Sequence, residues 1–197
     1  MYRAVALAAV RSGLRFPLDA AARRRVEALA ATVSIAFSGE PSAQRVFLDG
    51  DDVTAEIRTP EVSQRSSEVS ALPGVRRELV RRQRELAHNG GVVEGRDIGT
   101  VVFPDAPVKV FVTAAAEVRA RRRFEELRGR GLQVAWDDVL SEQLERDRRD
   151  ATRELSPLRP ASGAVVVDTS ALGLDEVVQR LVDLVRGSLD TDRTDSV

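Results

Sequence analysis

One segment, residues 95–111, constrains the fold more than any other part of the chain. It combines a polar turn that begins and ends near glycines, a link bracketed by prolines, and an apolar run that predicts a buried strand. Residues 92–94 predict a further strand just before the turn. Arg96 and Asp97 would then follow a strand end, which is where open α/β proteins bind their ligands. The segment predicts a ligand-binding edge that carries one cation and one acceptor group.

The spacing of apolar residues elsewhere predicts an α/β fold. Helices are expected over 1–12, 19–31, 60–72, 73–88, 115–129, 136–152 and 174–186. Strands of a parallel sheet are expected at 92–94, 108–113 and 164–168, because apolar strands that alternate with helices lie in a sheet covered on both faces. Residues 33–57 alternate with period two around a Gly-containing turn, which predicts a small antiparallel meander whose third strand spans 53–57.

The positive charges of this chain are nearly all arginines. Only one of the 30 basic residues is a lysine, Lys109, and it lies in a predicted strand. Arginine presents a planar fork that matches phosphate and carboxylate groups. The net charge of −1 provides no overall field to attract nucleic acid or an anionic membrane. The simplest explanation of the overall arginine bias is genome composition, which does not explain where particular arginines lie.

Two counts narrow the chemistry further. The chain has no cysteine, which excludes disulfides, thiolate zinc sites and a cysteine nucleophile, and which suits a cytoplasmic location. Its single histidine, His88, argues against His-based metal sites and a Ser-His-Asp triad. No apolar run approaches the length of a membrane-spanning helix.

Three charged residues share one face of a predicted helix. Arg146, Asp150 and Arg153 follow the spacing i, i+4, i+7. The arrangement fits an ion-pair ladder, and it also fits a phosphate clamp in which the carboxylate orients an arginine or accepts from a ribose hydroxyl. The spacing alone leaves both interpretations open.

Two further groups of polar residues are ambiguous when taken alone. Arginines at 119 and 121–123 fit a solvated helix face, and they also fit a lid over a triphosphate. Ser67 and Arg76 lie in one helix–turn–helix stretch, where exposed polar residues are common.

Taken in order, these segments resemble bacterial cytidylate kinases. The resemblance covers residues 1–187 and rests on a dozen blocks, among them 1–3, 47–50, 57–59, 67–76, 95–111, 113–114, 119–123, 145–150, 156–158 and 164–168. It implies the P-loop-type fold of nucleoside monophosphate kinases. It also implies transfer of the γ-phosphoryl group of ATP to CMP or dCMP, with Mg²⁺. The kinase core would comprise 1–32 and 71–187 with a lid at about 119–150, the monophosphate-binding insertion 33–70, and a frayed tail 188–197.

The resemblance also implies a role for each matched residue. The cytosine edge would be contacted by Ser67, Arg76 and Asp97. The acceptor phosphate would be held by Arg3, Arg96 and Arg146. Asp150 would bind the ribose, and Arg153 would lie near the phosphates in transfer. The catalytic residues would be Arg96, Arg146 and Arg153. ATP would be contacted by Arg119, Arg122 and Arg123. No protein residue is expected to bind a metal, and the whole protein is expected to be a monomer.

The family's first unit has no counterpart in these 197 residues. A strand, a Gly-rich loop that ends in Gly-Lys-Ser/Thr and a helix open the family fold, yet no G-x-x-x-x-G-K-[ST] sequence occurs here. Lys109 is no substitute, because it lies in a predicted strand. We expect that the protein starts upstream and that Met1 is an internal methionine. Two alternatives stay open, a non-catalytic CMP-binding module and a partner subunit.

Overall fold

The computed structural model describes residues 1–40, 43–152 and 158–194. The chain divides into two compact units, Met1–Gly91 and Val92–Val197, which are described separately. The elements of unit 1 are α1 (Tyr2–Arg11), α2 (Ala20–Thr32), β1 (Ile35–Ser38), β2 (Arg45–Leu48), β3 (Asp51–Asp52), a 3₁₀ turn (Glu56–Arg58), α3 (Pro60–Val69) and α4 (Pro73–Leu86). The elements of unit 2 are a π-helical turn (Ile98–Val102), β4 (Val110–Thr113), α5 (Ala116–Gly129), α6 (Trp136–Thr152), β5 (Val165–Asp168) and α7 (Leu174–Thr194).

The core of unit 1 is built around helix α1. Every residue from Ala4 to Ala9 is buried, and α1 packs against α2, α3 and the 3₁₀ turn. Most of these residues are alanine, so the neighbouring helices can approach closely on several sides. The buried residues of α2, α3, α4 and the meander join the same cluster. Helix α1 therefore fixes the positions of the residues that border it.

The helix starts predicted from the sequence are confirmed. Asp19 precedes α2, and its carboxylate accepts a hydrogen bond of 2.7 Å from the backbone N–H of Ala22. Such a cap satisfies one of the backbone donors that the first turn of a helix leaves unpaired. Pro60 and Pro73 each stand in a first turn, where proline lacks only a donor that would be unpaired anyway.

The meander is antiparallel as predicted, but its third strand is not at 53–57. Strand β3 consists of Asp51 and Asp52, which pair with the end of β2. The preceding turn places Asp49 and Gly50 at positive φ, so the chain reverses at once and pairs again immediately. Val53 then leaves the sheet and is buried, together with Ile57 of the 3₁₀ turn.

Unit 2 contains the predicted parallel pair of strands. Strands β4 and β5 run in register from Val110 opposite Val165 to Thr113 opposite Asp168, joined through α5 and α6. Successive strand residues point to opposite faces, and Val165 and Val166 are 46% and 53% exposed. The expected covering of both faces is therefore incomplete among the described residues, because a two-stranded sheet buries little apolar surface.

The strand predicted at 92–94 is wrong. These residues form no regular structure, and Val92 is fully exposed. No strand in the described ranges pairs with them, so their backbone groups are left to water rather than to a sheet. Arg96 and Asp97 consequently follow an irregular segment, and the π-helical turn begins directly after Asp97.

Helices α5 and α6 form a hairpin, and α6 has the predicted bounds. The rings of Phe124 and Trp136 meet edge to face, 5.8 Å apart, beside the connection. Helix α7 continues beyond the predicted end at Arg186 to Thr194. Its apolar face is only partly covered, with Val178 50% exposed. None of the described helices has the length and hydropathy needed to cross a membrane.

Candidate functional site

The central pair of unit 2 is an ion pair between Arg96 and Asp150. A guanidinium N–H of Arg96 donates to the carboxylate of Asp150. The side chain of Asp150 is 6% exposed and that of Arg96 is 38% exposed. A carboxylate this deeply buried needs a charged partner. The pair therefore joins the turn at residues 95–97 to helix α6, and the Arg96 side chain stays partly exposed to solvent.

Helix α6 places a second predicted phosphate ligand near this pair. Arg146 is exposed and precedes Asp150 by four residues, so both lie on one helix face. The backbone carbonyl of Asp150 accepts a hydrogen bond of 2.9 Å from the N–H of Leu158. Arg153, the third predicted member of this face, lies outside the described residues.

The neighbouring Asp97 is buried, with 7% of its surface exposed. Its backbone carbonyl accepts hydrogen bonds from the N–H groups of Val101 at 2.9 Å and Val102 at 3.3 Å. These bonds close the π-helical turn and hold Asp97 beside Arg96. π-Helical turns are rare in proteins, and those that occur are often found at functional sites.

In unit 1, Arg76 and Ser67 are brought together through Ser70. Arg76 is buried, and its guanidinium donates to the Ser70 carbonyl at 3.2 Å. The Ser70 hydroxyl in turn donates to the Ser67 carbonyl at 2.9 Å. The guanidinium of Arg76 also lies over the ring of Tyr2, 6.0 Å from its centroid. Two residues predicted to contact cytosine thus belong to one hydrogen-bonded group.

Arg3 follows Tyr2 on helix α1 and is half-buried. One of its guanidinium nitrogens lies 3.5 Å from the carbonyl oxygen of Ile57 in the 3₁₀ turn. This contact is at the long limit of a hydrogen bond.

Among the predicted ATP ligands, Arg119 has the most defined partner. Its two terminal nitrogens donate to both oxygens of Asp147, at 3.1 and 2.8 Å. The amide of Gln143 donates to the same carboxylate at 2.9 Å. Asp147 was not among the sequence-based candidates. The sequence feature that could have indicated this pair is the helix hairpin. Arg119 and Asp147 lie at similar distances along the chain from the connection between α5 and α6, so a hairpin brings them together.

The other two predicted ATP ligands make local contacts. Arg122 donates to the hydroxyl and carbonyl of Thr169 at 3.1 and 2.7 Å and to the carbonyl of Leu172 at 3.1 Å. It thereby fastens α5 to the loop after β5. Arg123 pairs with Glu126 at 2.8 Å on the surface of α5. Both arginines stay predictions as ATP ligands.

A carboxylate at the end of β5 was also missed by the sequence interpretation. The hydroxyl and then the backbone N–H of Ser170 donate to Asp168, and these bonds hold the pKa of Asp168 below its usual value. An acidic residue that closes an apolar strand run is the sequence signal that marks it. Among the described residues no group of three or more Asp, Glu, His or Cys side chains could hold a metal ion.

Comparison with known proteins gives a consistent result. A family model described as cytidylate kinase matches residues 1–187. A cytidylate kinase of Pelotomaculum thermopropionicum is 50% identical over 184 residues, which are 92% of this chain and 80% of that protein. The cytidylate kinase of Mycobacterium avium is 50% identical over 188 residues, 94% of this chain and 81% of that protein. The cytidylate kinase of Vibrio vulnificus is 43% identical over 190 residues, with coverages of 96% and 82%.

Proposed function

The chain belongs to the cytidylate kinase family and is a kinase, and we propose that it transfers the γ-phosphoryl group of ATP to CMP or dCMP. The observation that carries the proposal is the Arg96–Asp150 ion pair with Arg146 on the same face of α6. The comparisons give no support to a non-catalytic module.

The acceptor phosphate is held by arginines in this proposal. Arg96 and Arg146 supply two guanidiniums from one part of unit 2, and Arg3 and Arg153 add further positive charge. Charge-assisted hydrogen bonds to phosphate are roughly twice as strong as neutral ones, and arginine can make them in pairs. The buried carboxylate of Asp150 keeps Arg96 in place and also accepts from the ribose.

The chemistry that these residues serve needs no general base. An anionic oxygen of the acceptor phosphate forms a bond to the γ-phosphorus while the bond from that phosphorus to the β–γ bridging oxygen breaks, which gives ADP and CDP or dCDP. Charge spreads over the transferred oxygens during this step. Preorganised arginines stabilise that charge without having to reorient, which suits a chain with one histidine.

Recognition of cytosine is assigned to Ser67, Arg76 and Asp97. Arg76 supports this role because it is buried yet polar, and because its fixed guanidinium can donate to the carbonyl and ring nitrogen of the base. Asp97 supplies a buried acceptor for the exocyclic amine that distinguishes cytosine from uracil.

In this proposal the donor phosphates are held by a Gly-rich loop of the kind that the resemblance implies. No G-x-x-x-x-G-K-[ST] sequence occurs, and the amine of Lys109 donates to the Pro104 carbonyl. We therefore propose that a Gly-rich loop outside these 197 residues completes the donor site, to which Arg119, Arg122 and Arg123 contribute. Where the reading frame continues upstream, the extended form should bind ATP more tightly than the 197-residue chain; a stop codon directly upstream of Met1 would contradict the proposal. Equal affinity would contradict this assignment.

Magnesium enters, in this proposal, with the nucleotide. Mg²⁺ keeps several waters and is usually held by one or two carboxylates together with substrate phosphates. The described residues offer no carboxylate cluster of their own, so a metal bound chiefly by the phosphates of ATP fits them better than a resident ion. When bound, the ion neutralises phosphate charge. A monomeric, cytoplasmic protein stays a prediction.

A coupled assay of ADP formation tests the assignment. ATP is offered with CMP, dCMP, UMP and AMP, using the extended form of the protein. We expect the highest kcat/KM with CMP or dCMP, and a loss of orders of magnitude in Arg146→Ala. Arg148→Ala, an exposed arginine on another face of α6, is the matched control and should be active. Equal turnover of all four acceptors would defeat the proposal.

A further inference from the structure

Unit 2 contains a concave site that the proposed function does not use. It is a cavity of about 380 Å³ between the π-helical turn, the residue before β4 and the segment 159–162. Its size is within the range of small-molecule pockets. Two cations, Lys109 and Arg159, line it together with Thr100 and Ser162, and no acidic residue is part of its described lining.

Lys109 is held in this cavity by its own hydrogen bond. Its ammonium donates to the carbonyl of Pro104 at 2.6 Å. An ammonium has three N–H donors, so two remain for a ligand. The side chain is half-buried, which fixes the direction of the charge better than at a solvated surface position. The chain's only lysine is thus a positioned cation.

Gly99 lets the two walls of the cavity approach each other. A Cβ at this position would lie 3.1 Å from the Cβ of Ala161 and 3.5 Å from the side chain of Lys109. The first distance is tighter than most real contacts, so a side chain here would push segment 159–162 outward. The close packing holds Arg159 and Ser162 on the same cavity as Lys109.

We propose that this cavity binds an oxyanion of the phosphate class. Two positive charges on a concave surface without a neighbouring carboxylate in the described lining attract an anion. The arginine fork and the lysine donors match phosphate oxygens, and hydroxyls complete such sites. None of the residues assigned to CMP or ATP belongs to the lining. The site is therefore separate from the acceptor site and does not depend on the proposed function.

Because Lys109 is the only lysine of the chain, its side-chain NMR signal reports on this cavity. The 197-residue chain is labelled with ¹³C at the lysine Cε, which produces one side-chain NMR signal, and sodium phosphate is titrated against sodium chloride at equal ionic strength. We expect a saturable shift with phosphate and none with chloride. Arg159→Gln should weaken phosphate binding about tenfold, which is the effect of losing one charge-assisted contact. Arg130→Gln, an exposed arginine directly after α5 that pairs with Glu126, is the matched control and should bind as the wild type does.

Titrations with other phosphate compounds show which of them the cavity prefers. Pyrophosphate, ATP and CMP are titrated in the same way. Tighter saturation by any of them supports the proposal and shows whether free phosphate or a nucleotide is the preferred ligand. The shift should persist in Arg146→Ala, which removes an acceptor-site cation.

Three results would overturn the proposal. One is a lysine signal that phosphate and the other anions leave unchanged. The second is an equal response to chloride, which would indicate screening alone. The third is a shift that survives in Arg159→Gln with unaltered affinity, or that disappears in Arg146→Ala.

Discussion

Arg96 and Asp150 form an ion pair across 54 positions of the chain. The carboxylate is almost fully buried, whereas the guanidinium is partly open to solvent. Because an isolated buried carboxylate is costly, Asp150 holds Arg96 in one place and leaves its open side for a ligand. The carboxylate is thus a positioning group for the arginine to which we assign the acceptor phosphate.

Loss of either partner should therefore have the same effect. Arg96→Ala is expected to lower kcat/KM for CMP by about 100-fold, the scale of a lost charge-assisted clamp. Asp150→Ala should cost nearly as much, and the double variant should be worse than Arg96→Ala alone only by the smaller contribution of the ribose contact that Asp150 makes. Steady-state kinetics of the three variants in the extended protein measure this coupling. Additive losses would show that Asp150 acts without Arg96.

Arg76 should govern discrimination between bases. Its guanidinium is buried and donates to the Ser70 carbonyl, so Arg76→Met removes both a base contact and a buried hydrogen bond. We expect the ratio of kcat/KM for CMP over UMP to fall about tenfold, and the free energy of unfolding to fall by about 1–3 kcal/mol. Arg77→Met, its exposed neighbour on α4, is the control. If the folded Arg76→Met variant keeps the CMP over UMP ratio of kcat/KM unchanged, Arg76 does not recognise the base.

The helices predicted from the sequence agree well with those of the structure. Helix α6 has its predicted bounds, and the Asp19 cap was expected, because both depend on local spacing and hydrogen bonds. The strand predicted at 92–94 does not form. A strand needs a neighbouring strand to pair with, and the local sequence carries no information about that neighbour. The Arg96–Asp150 pair could not be predicted from spacing either, because the spacing along α6 left an ion-pair ladder and a phosphate clamp both open. The resemblance to a family suggested these residues, but not that they contact each other.

The bidentate pair of Arg119 and Asp147 should compete with ATP for Arg119. Asp147→Asn weakens the ion pair and frees the guanidinium, so KM for ATP in the extended protein is expected to fall two- to fivefold. Arg119→Ala should raise it by about tenfold. Both values come from ATP titrations at saturating CMP. A rise in KM in both variants would mean that Asp147 positions Arg119 for ATP rather than competing for it.

Acid should weaken unit 1 through Glu78. Hydrogen bonds from Arg81 and then Arg82 lower the pKa of Glu78 from its usual 4.5 to about 2. Its contribution to stability is therefore complete above pH 4.5 and is lost as the pH falls toward 2. Urea unfolding at pH 5 and pH 3 should show a smaller loss in Glu78→Gln than in the wild type. Glu125→Gln, an exposed glutamate of α5, is the control and should match the wild type; an equal loss in all three proteins would exclude this role for Glu78.

Equilibrium binding of CMP and of cytidine to the 197-residue chain tests the acceptor site most directly, because it requires no donor site. Calorimetry with the wild type should give a markedly tighter affinity for CMP than for cytidine, since only CMP carries the phosphate that Arg96 and Arg146 are proposed to hold. In Arg146→Ala the two affinities should approach each other, while Arg148→Ala keeps the difference. Equal affinities of the wild type for CMP and cytidine would contradict the assignment.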